Sequence, residues 1–123
     1  MVSRIEQMNK SLADLQASSS DIEASAVVSV DGLIIASSLP QGLEEERIAA
    51  MSAALLSMGE RIAAELKRGD LDQLYVKGQE GYFLSQYAGP HAVLIAMARQ
   101  NAKLGLIFFD LNKAASEIKN CLV

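Results

Sequence analysis

Residues 43–68 read LEEERIAAMSAALLSMGERIAAELKR, and this stretch decides the fold. Ile48, Met51, Leu55, Met58 and Ile62 recur at intervals of three and four, and Leu66 extends the row. That spacing gathers them on one side of an α-helix. Glu44, Glu45 and Glu46 open the segment and Lys67 and Arg68 close it, which complements the helix dipole at both ends. Gly69 then suits the C′ position. The apolar stripe is expected to pack on a sheet, each large side chain contributing about 1.5–3 kcal/mol before entropy. The opposite side carries Ala50, Ala53, Ser57 and Ala64, bordered by Glu46, Glu60, Arg61 and Arg68. A solvent face would hold more Lys, Glu and Gln. Alanine is the best helix former and fills surfaces harmlessly. A row of small residues also lets a second backbone approach, so this side is expected to meet another helix or a partner protein.

Working outward, strand patterns lie on both sides. Residues 24–30 read ASAVVSV, and Asp31-Gly32 then signals a type I′ hairpin into a second strand at 33–37. Leu39-Pro40-Gln41-Gly42 is a loop. After the long helix, residues 71–77 form a strand, and Gly78-Gln79-Glu80-Gly81 turns into a strand at 82–87. Gly89-Pro90 turns again into 91–98, the most apolar strand and therefore the expected centre of the sheet. At the N-terminus, Ile5, Met8, Leu12 and Leu15 mark an amphipathic helix over 3–17, ended by Ser18, Ser19, Ser20 and Asp21. Residues 104–109 have strand composition. Yet Leu104, Ile107, Phe108, Leu111, Ala115, Ile118 and Leu122 share one helical face, so a helix is assigned over 102–120, with Asn101 as its candidate cap. The order α-β-β-α-β-β-β-α predicts an α/β (α+β) fold: a five-stranded antiparallel sheet with helices on both faces.

The bulk properties narrow the function. The chain has 123 residues, 50% apolar and 21% charged, which fits one domain over 1–123. A net charge of −4, a pI of 4.9 and no Trp argue against a nucleic-acid surface. Cys121 has no partner for an internal disulfide, the first fifteen residues lack an apolar signal core, and Ala92–Ala98 is too short to span a bilayer. These features predict a cytoplasmic protein without membrane insertion.

Catalytic constellations are missing from the sequence. His91 is the sole histidine and reads as a turn or strand-start residue. One His and one Cys give no metal-ligand spacing, and the Glu44–Glu46 run reads as a helix N-terminal charge complement. No GxxxxGK[ST] phosphate loop occurs. Neither an enzyme nor a cofactor is expected. Leu74, Tyr75 and Val76 form an apolar run in a strand expected at the sheet edge. Such an edge invites pairing with its own copy across a two-fold axis, while Asp72 and Lys77 are possible guards against wrong pairing.

The ordered set "VVSVDGLIIASSLP", "IAAMSAALLSMGERIAAEL", "GYFLSQYAGPHAVLIAMA" and "NAKLGLIFFDLNKAASEI" resembles the roadblock (dynein light-chain) family, in its bacterial MglB-like form. The resemblance implies a profilin/roadblock-like fold and a homodimer joined through the long central helix and the following edge strand. It implies that the paired helices form the platform for a Ras-like small GTPase. Carried over, that surface comprises Glu46, Ala50, Ala53, Ser57, Arg61 and Ala64. Hydrolysis would be promoted by reshaping the GTPase, with no arginine finger from Arg61. Two other readings compete: a dimeric scaffold without effect on nucleotide turnover, and a PAS-like small-molecule sensor. The sensor should have polar residues inside its sheet. The inner positions Val28, Val30, Leu94 and Ala96 are bland, and a cavity of several hundred Å³ would speak for the sensor.

Overall fold

The computed structural model describes residues 2–122. The elements are α1 (Arg4–Ser18), β1 (Ile22–Ser29), β2 (Ile34–Ser38), α2 (Glu45–Glu65), β3 (Leu74–Gly78), β4 (Gly81–Tyr87), β5 (Ala92–Arg99) and α3 (Leu104–Cys121). The strands form one antiparallel sheet in the order β2-β1-β5-β4-β3. This is the expected architecture, with β5 at the centre and β3 at an edge.

Side chains alternate between the two faces of a strand, so β5 serves two cores. Ala92, Leu94, Ala96 and Ala98 point to the layer of α1 and α3, where Met8, Leu12, Ile107, Leu111 and Ile118 are buried. Val93 and Ile95 point the other way, with Ala26 and Val28, to meet Ala49 and Leu56 of α2. The helical periodicity of residues 104–118 therefore prevails over their strand-like composition, because the α1 side of the sheet needs a second apolar helix to cover it.

Local details depart from expectation at three places. The first hairpin is not type I′. Asp31 keeps a negative φ and only Gly32 is left-handed, at φ 92°. Gly32 N–H donates to the Ser29 carbonyl and Ser29 N–H to the Leu33 carbonyl. That is the three-residue loop with a glycine bulge. Helix α2 closes earlier than Gly69: Lys67 takes the left-handed C′ position at φ 56°, Arg68 N–H donates to Ala63 O, and Lys67 N–H to Ala64 O. These two bonds make a Schellman motif on a lysine. Helix α3 is preceded by Lys103 without a side-chain cap, so Asn101 is not its cap.

Candidate interaction surface

Helix α2 rests on the sheet through Ala49, Ser52 and Leu56, with Gly59 and Ala63 continuing that side half-buried. This corrects the expected orientation. The stripe of large residues does not form the seat: Met51, Met58, Ile62 and Leu66 are 55%, 51%, 52% and 63% exposed. Ile48 and Leu55 at its margin are half-buried. The seat uses small residues because the helix lies close to the strands. A Cβ on Gly59 would stand 3.2 Å from Leu71 Cδ2. At about 100° per residue, the centre of the large stripe lies about 90° from the seat on one flank. Ala50, Ser57 and Ala64 centre about 120° away on the other.

The small-residue side is also corrected. Glu46, Ala50, Ser57, Arg61 and Ala64 are exposed, as expected of an interaction surface. Ala53 is not part of it, because it is half-buried under the first hairpin, where a Gly32 Cβ would meet Ala53 Cβ at 3.5 Å. Arg61 pairs with Glu65 at 3.7 Å in solvent. Exposed pairs of this kind contribute little and leave the guanidinium free to exchange partners.

The large-residue flank overhangs the β3–β4 side of the sheet. Between them lies an open groove of roughly 630 Å³, bordered by Ile48, Met51, Leu55, Val76, Phe83 and Met97, with Glu23 and Glu80 among its few charged neighbours. The edge strand begins at Leu74, three residues later than expected. Leu74 is half-buried in the α2-side core, Tyr75 is 46% exposed and Val76 is 48% exposed. Val76 borders the groove, whereas Tyr75 lies on the opposite face against Phe108. Lys77 lies over the Tyr82 ring at 5.6 Å, so it stacks on its own sheet rather than only guarding the edge.

The result is uncovered apolar surface: Met51, Met58 and Ile62 on α2, with Met51 facing across the groove to Val76 on β3, an edge strand paired on one side only. The four large apolar side chains left out of the core in this segment, Met51, Met58, Ile62 and Leu66, were foreseeable in only one respect. The 26-residue segment carries more large apolar residues than one face can seat. The sequence does not reveal which side the sheet takes. Leu106 and Phe109 of α3, 59% and 69% exposed, were missed as surface features. Their signal was that both fall off the helical face shared by Ile107, Phe108 and Leu111.

At the far end of α2, Glu60 and Asp70 border Tyr87. Burial, and then the Glu60 carboxylate beside it, push the Tyr87 phenol up to about 12. Among the described residues, no group of three or more His, Cys, Asp or Glu is placed to hold a metal ion. Among the described residues, no helix is long and apolar enough to cross a membrane.

A five-stranded sheet with two helices on one face and one on the other, carrying an open apolar edge, defines a class of interaction module. The Roadblock/LC7 domain family matches residues 8–98, and the chain belongs to that family. An uncharacterized protein of Methanocaldococcus jannaschii is 39% identical over 98 residues, covering 80% of this chain and 85% of its own length. The gliding protein MglB of Thermus thermophilus superposes with a TM-score of 0.87 at 15% identity, over 98% of this chain and 92% of MglB. Profilin II of Acanthamoeba castellanii gives 0.68 at 13% identity, over 94% and 99%. The profilin/roadblock-like fold is thereby established.

Proposed function

We propose that this chain is a non-catalytic homodimeric regulator, a GTPase-activating co-factor or docking platform, for a Ras-like small GTPase. The observation that carries the reading is the uncovered apolar surface of Met51, Met58, Ile62 and Val76 beside the free edge of β3. Contiguous apolar surface of this kind marks an association site. Pairing β3 with its copy would satisfy the open backbone groups and bring the partner's α2 over the groove. The large-residue flank then serves self-association. The small-residue flank, Glu46, Ala50, Ser57, Arg61 and Ala64, is left outward for the GTPase. Membership of the Roadblock/LC7 family and the likeness to MglB support this division of labour. The whole of 1–123 is read as one roadblock-type unit working in the cytoplasm, since α3 completes the core beyond the family match at residue 98.

One observation favours a second reading. The groove has the volume of a ligand site. Its openness toward the β3 edge favours a second chain as occupant over a PAS-like ligand. The test is the mass of the native particle, alone and with each Ras-like GTPase of the same genome, together with GTP hydrolysis in both mixtures. A dimer that binds a GTPase and alters hydrolysis is expected. A dimer that binds without a rate change points to the scaffold. A monomer holding a small molecule overturns the proposal.

A further inference from the structure

The methionines are not spread evenly over the fold. Of the five, Met1 lies outside the described residues. Met8 is 1% exposed, inside the core that α1 and α3 form with the sheet. Met51 and Met58 are more than half exposed on the large-residue flank of α2. Seven residues apart, they stand on one line of the helix, about 11 Å from each other. Met97 of β5, cross-strand from Phe83, is half-buried and borders the groove together with Met51. Thioethers thus meet the groove from the helix and from the sheet. Neither Met51 nor Met58 is needed to seat α2, which rests on Ala49, Ser52 and Leu56. A methionine side chain is flexible and polarizable and suits an apolar interface, whereas its sulfoxide is polar and chiral.

We propose that Met51 and Met58 make self-association a reversible, peroxide-sensitive switch: sulfoxidation of either thioether holds the chain as a folded monomer. The inference rests on the dimer proposed above. In the step, a sulfur lone pair attacks one oxygen of hydrogen peroxide, the O–O bond breaks and an S–O bond forms. The departing hydroxide takes the proton of the new S–OH group and leaves as water. Sulfur is oxidised by two electrons and the peroxide is reduced. A thiol-dependent sulfoxide reductase returns the thioether, its thiol pair becoming a disulfide and the oxygen leaving as water. The two sulfurs face solvent in the free chain and are covered in the paired one, so peroxide acts on the monomer and traps it. For the chains to rejoin, the sulfoxide oxygen must be buried on a flank whose neighbouring side chains, Leu55 and Ile62, bring no hydrogen-bond donor. That weakens pairing about tenfold or more. The core is spared, because Met8 is shielded within it.

The probe is hydrogen peroxide on the full chain, followed by dithiothreitol, which clears reversible thiol oxidation at Cys121 and leaves sulfoxides. Size-exclusion with light scattering separates monomer from dimer, and peptide mass spectrometry locates the sulfoxides in each peak. Sulfoxides at Met51 and Met58 should be enriched about tenfold in the monomer peak. Met97 should oxidise more slowly and Met8 last. The rates at Met51 and Met58 should fall as protein concentration rises, because pairing covers them. The oxidised monomer should keep the circular dichroism of the untreated chain, and sulfoxide reductase should restore the dimer mass. Sulfoxides at both positions in equal share in the two peaks overturn the proposal. So does an oxidised chain that has unfolded, or a reductase that restores the thioethers and leaves a monomer. A particle that is monomeric before peroxide instead overturns the dimer reading itself.

Discussion

Gly32, at the tip of the first hairpin, lies against Ala53 of α2: a Cβ on the glycine would stand 3.5 Å from the alanine's Cβ. The left-handed φ of Gly32 lets the hairpin fold down over the helix, and the small side chain of Ala53 lets it arrive. The contact removes Ala53 from the interaction surface and makes it part of the packing. Ala53→Arg should therefore lower stability by about 1–3 kcal/mol, because the guanidinium must displace the hairpin. Thermal unfolding followed by circular dichroism reads this. An unchanged melting curve would return Ala53 to the exposed surface.

Met58 and Ile62 are the opposite case. Both are more than half exposed on the overhanging flank, so a charge there meets no core in a lone chain. Met58→Glu and Ile62→Glu should each yield a folded monomer where the parent chain gives a dimer, as read by light scattering at matched concentration. The isolated fold should change by no more than about 0.5 kcal/mol. A dimer that survives both substitutions would place self-association elsewhere.

The neighbours Leu55 and Leu56 test the rotation of α2. Leu56 is 4% exposed over Val93 and Ile95, whereas Leu55 is half-buried at the groove. Leu56→Ala should cost about 2–4 kcal/mol through the cavity it leaves. Leu55→Ala should cost less than half as much in a monomeric background. Urea unfolding of both variants in the Ile62→Glu chain compares them directly. Equal losses would mean that the helix is turned toward its large residues.

The order of elements was legible because each rests on a local signal. Short apolar runs of strand composition marked the strands, the glycine-containing turns separated them, and three-to-four spacing marked all three helices. What failed were statements about neighbours. The large stripe from Met51 to Leu66 satisfies the rule for a buried face. Yet the sheet beneath is covered by Val93, Ile95, Ala26 and Val28, which leave room only for Ala49, Ser52 and Leu56 to come close. A lone sequence does not disclose which of two candidate faces the sheet takes. The hairpin failed similarly: Asp31-Gly32 announced a turn, but whether one or two residues take positive φ depends on how the loop meets α2.

Tyr87 gives a prediction at alkaline pH. Its phenol is held protonated up to about 12 against an ordinary 10.0, by burial first and by Glu60 second. The raised folded value means that its contribution to stability is complete below pH 10 and is lost as pH rises through about 12. Absorbance titration of tyrosinate should show one late step that Tyr87→Phe removes. Glu60→Gln should move that step to lower pH. An alkaline titration unaffected by either change would mean that neither burial nor Glu60 acts on this ring.

Under the proposed function, the remaining flank is where reshaping a GTPase can be told from donating a group to it. Ala50 and Ser57 are small and exposed, while the Arg61 guanidinium is held only by an exposed pair with Glu65. If the surface works by close approach, bulk should matter and the arginine should not. Ser57→Arg should leave dimer mass and melting unchanged yet abolish GTPase binding, because a long side chain stands where a backbone must come near. Arg61→Ala should leave stimulated hydrolysis within about threefold, far from the loss of about 10³–10⁵ that removing an arginine finger brings. Single-turnover hydrolysis with a saturating excess of each variant separates the two outcomes. A collapse with Arg61→Ala at intact binding would assign the chemistry to that guanidinium and reject action by shape alone.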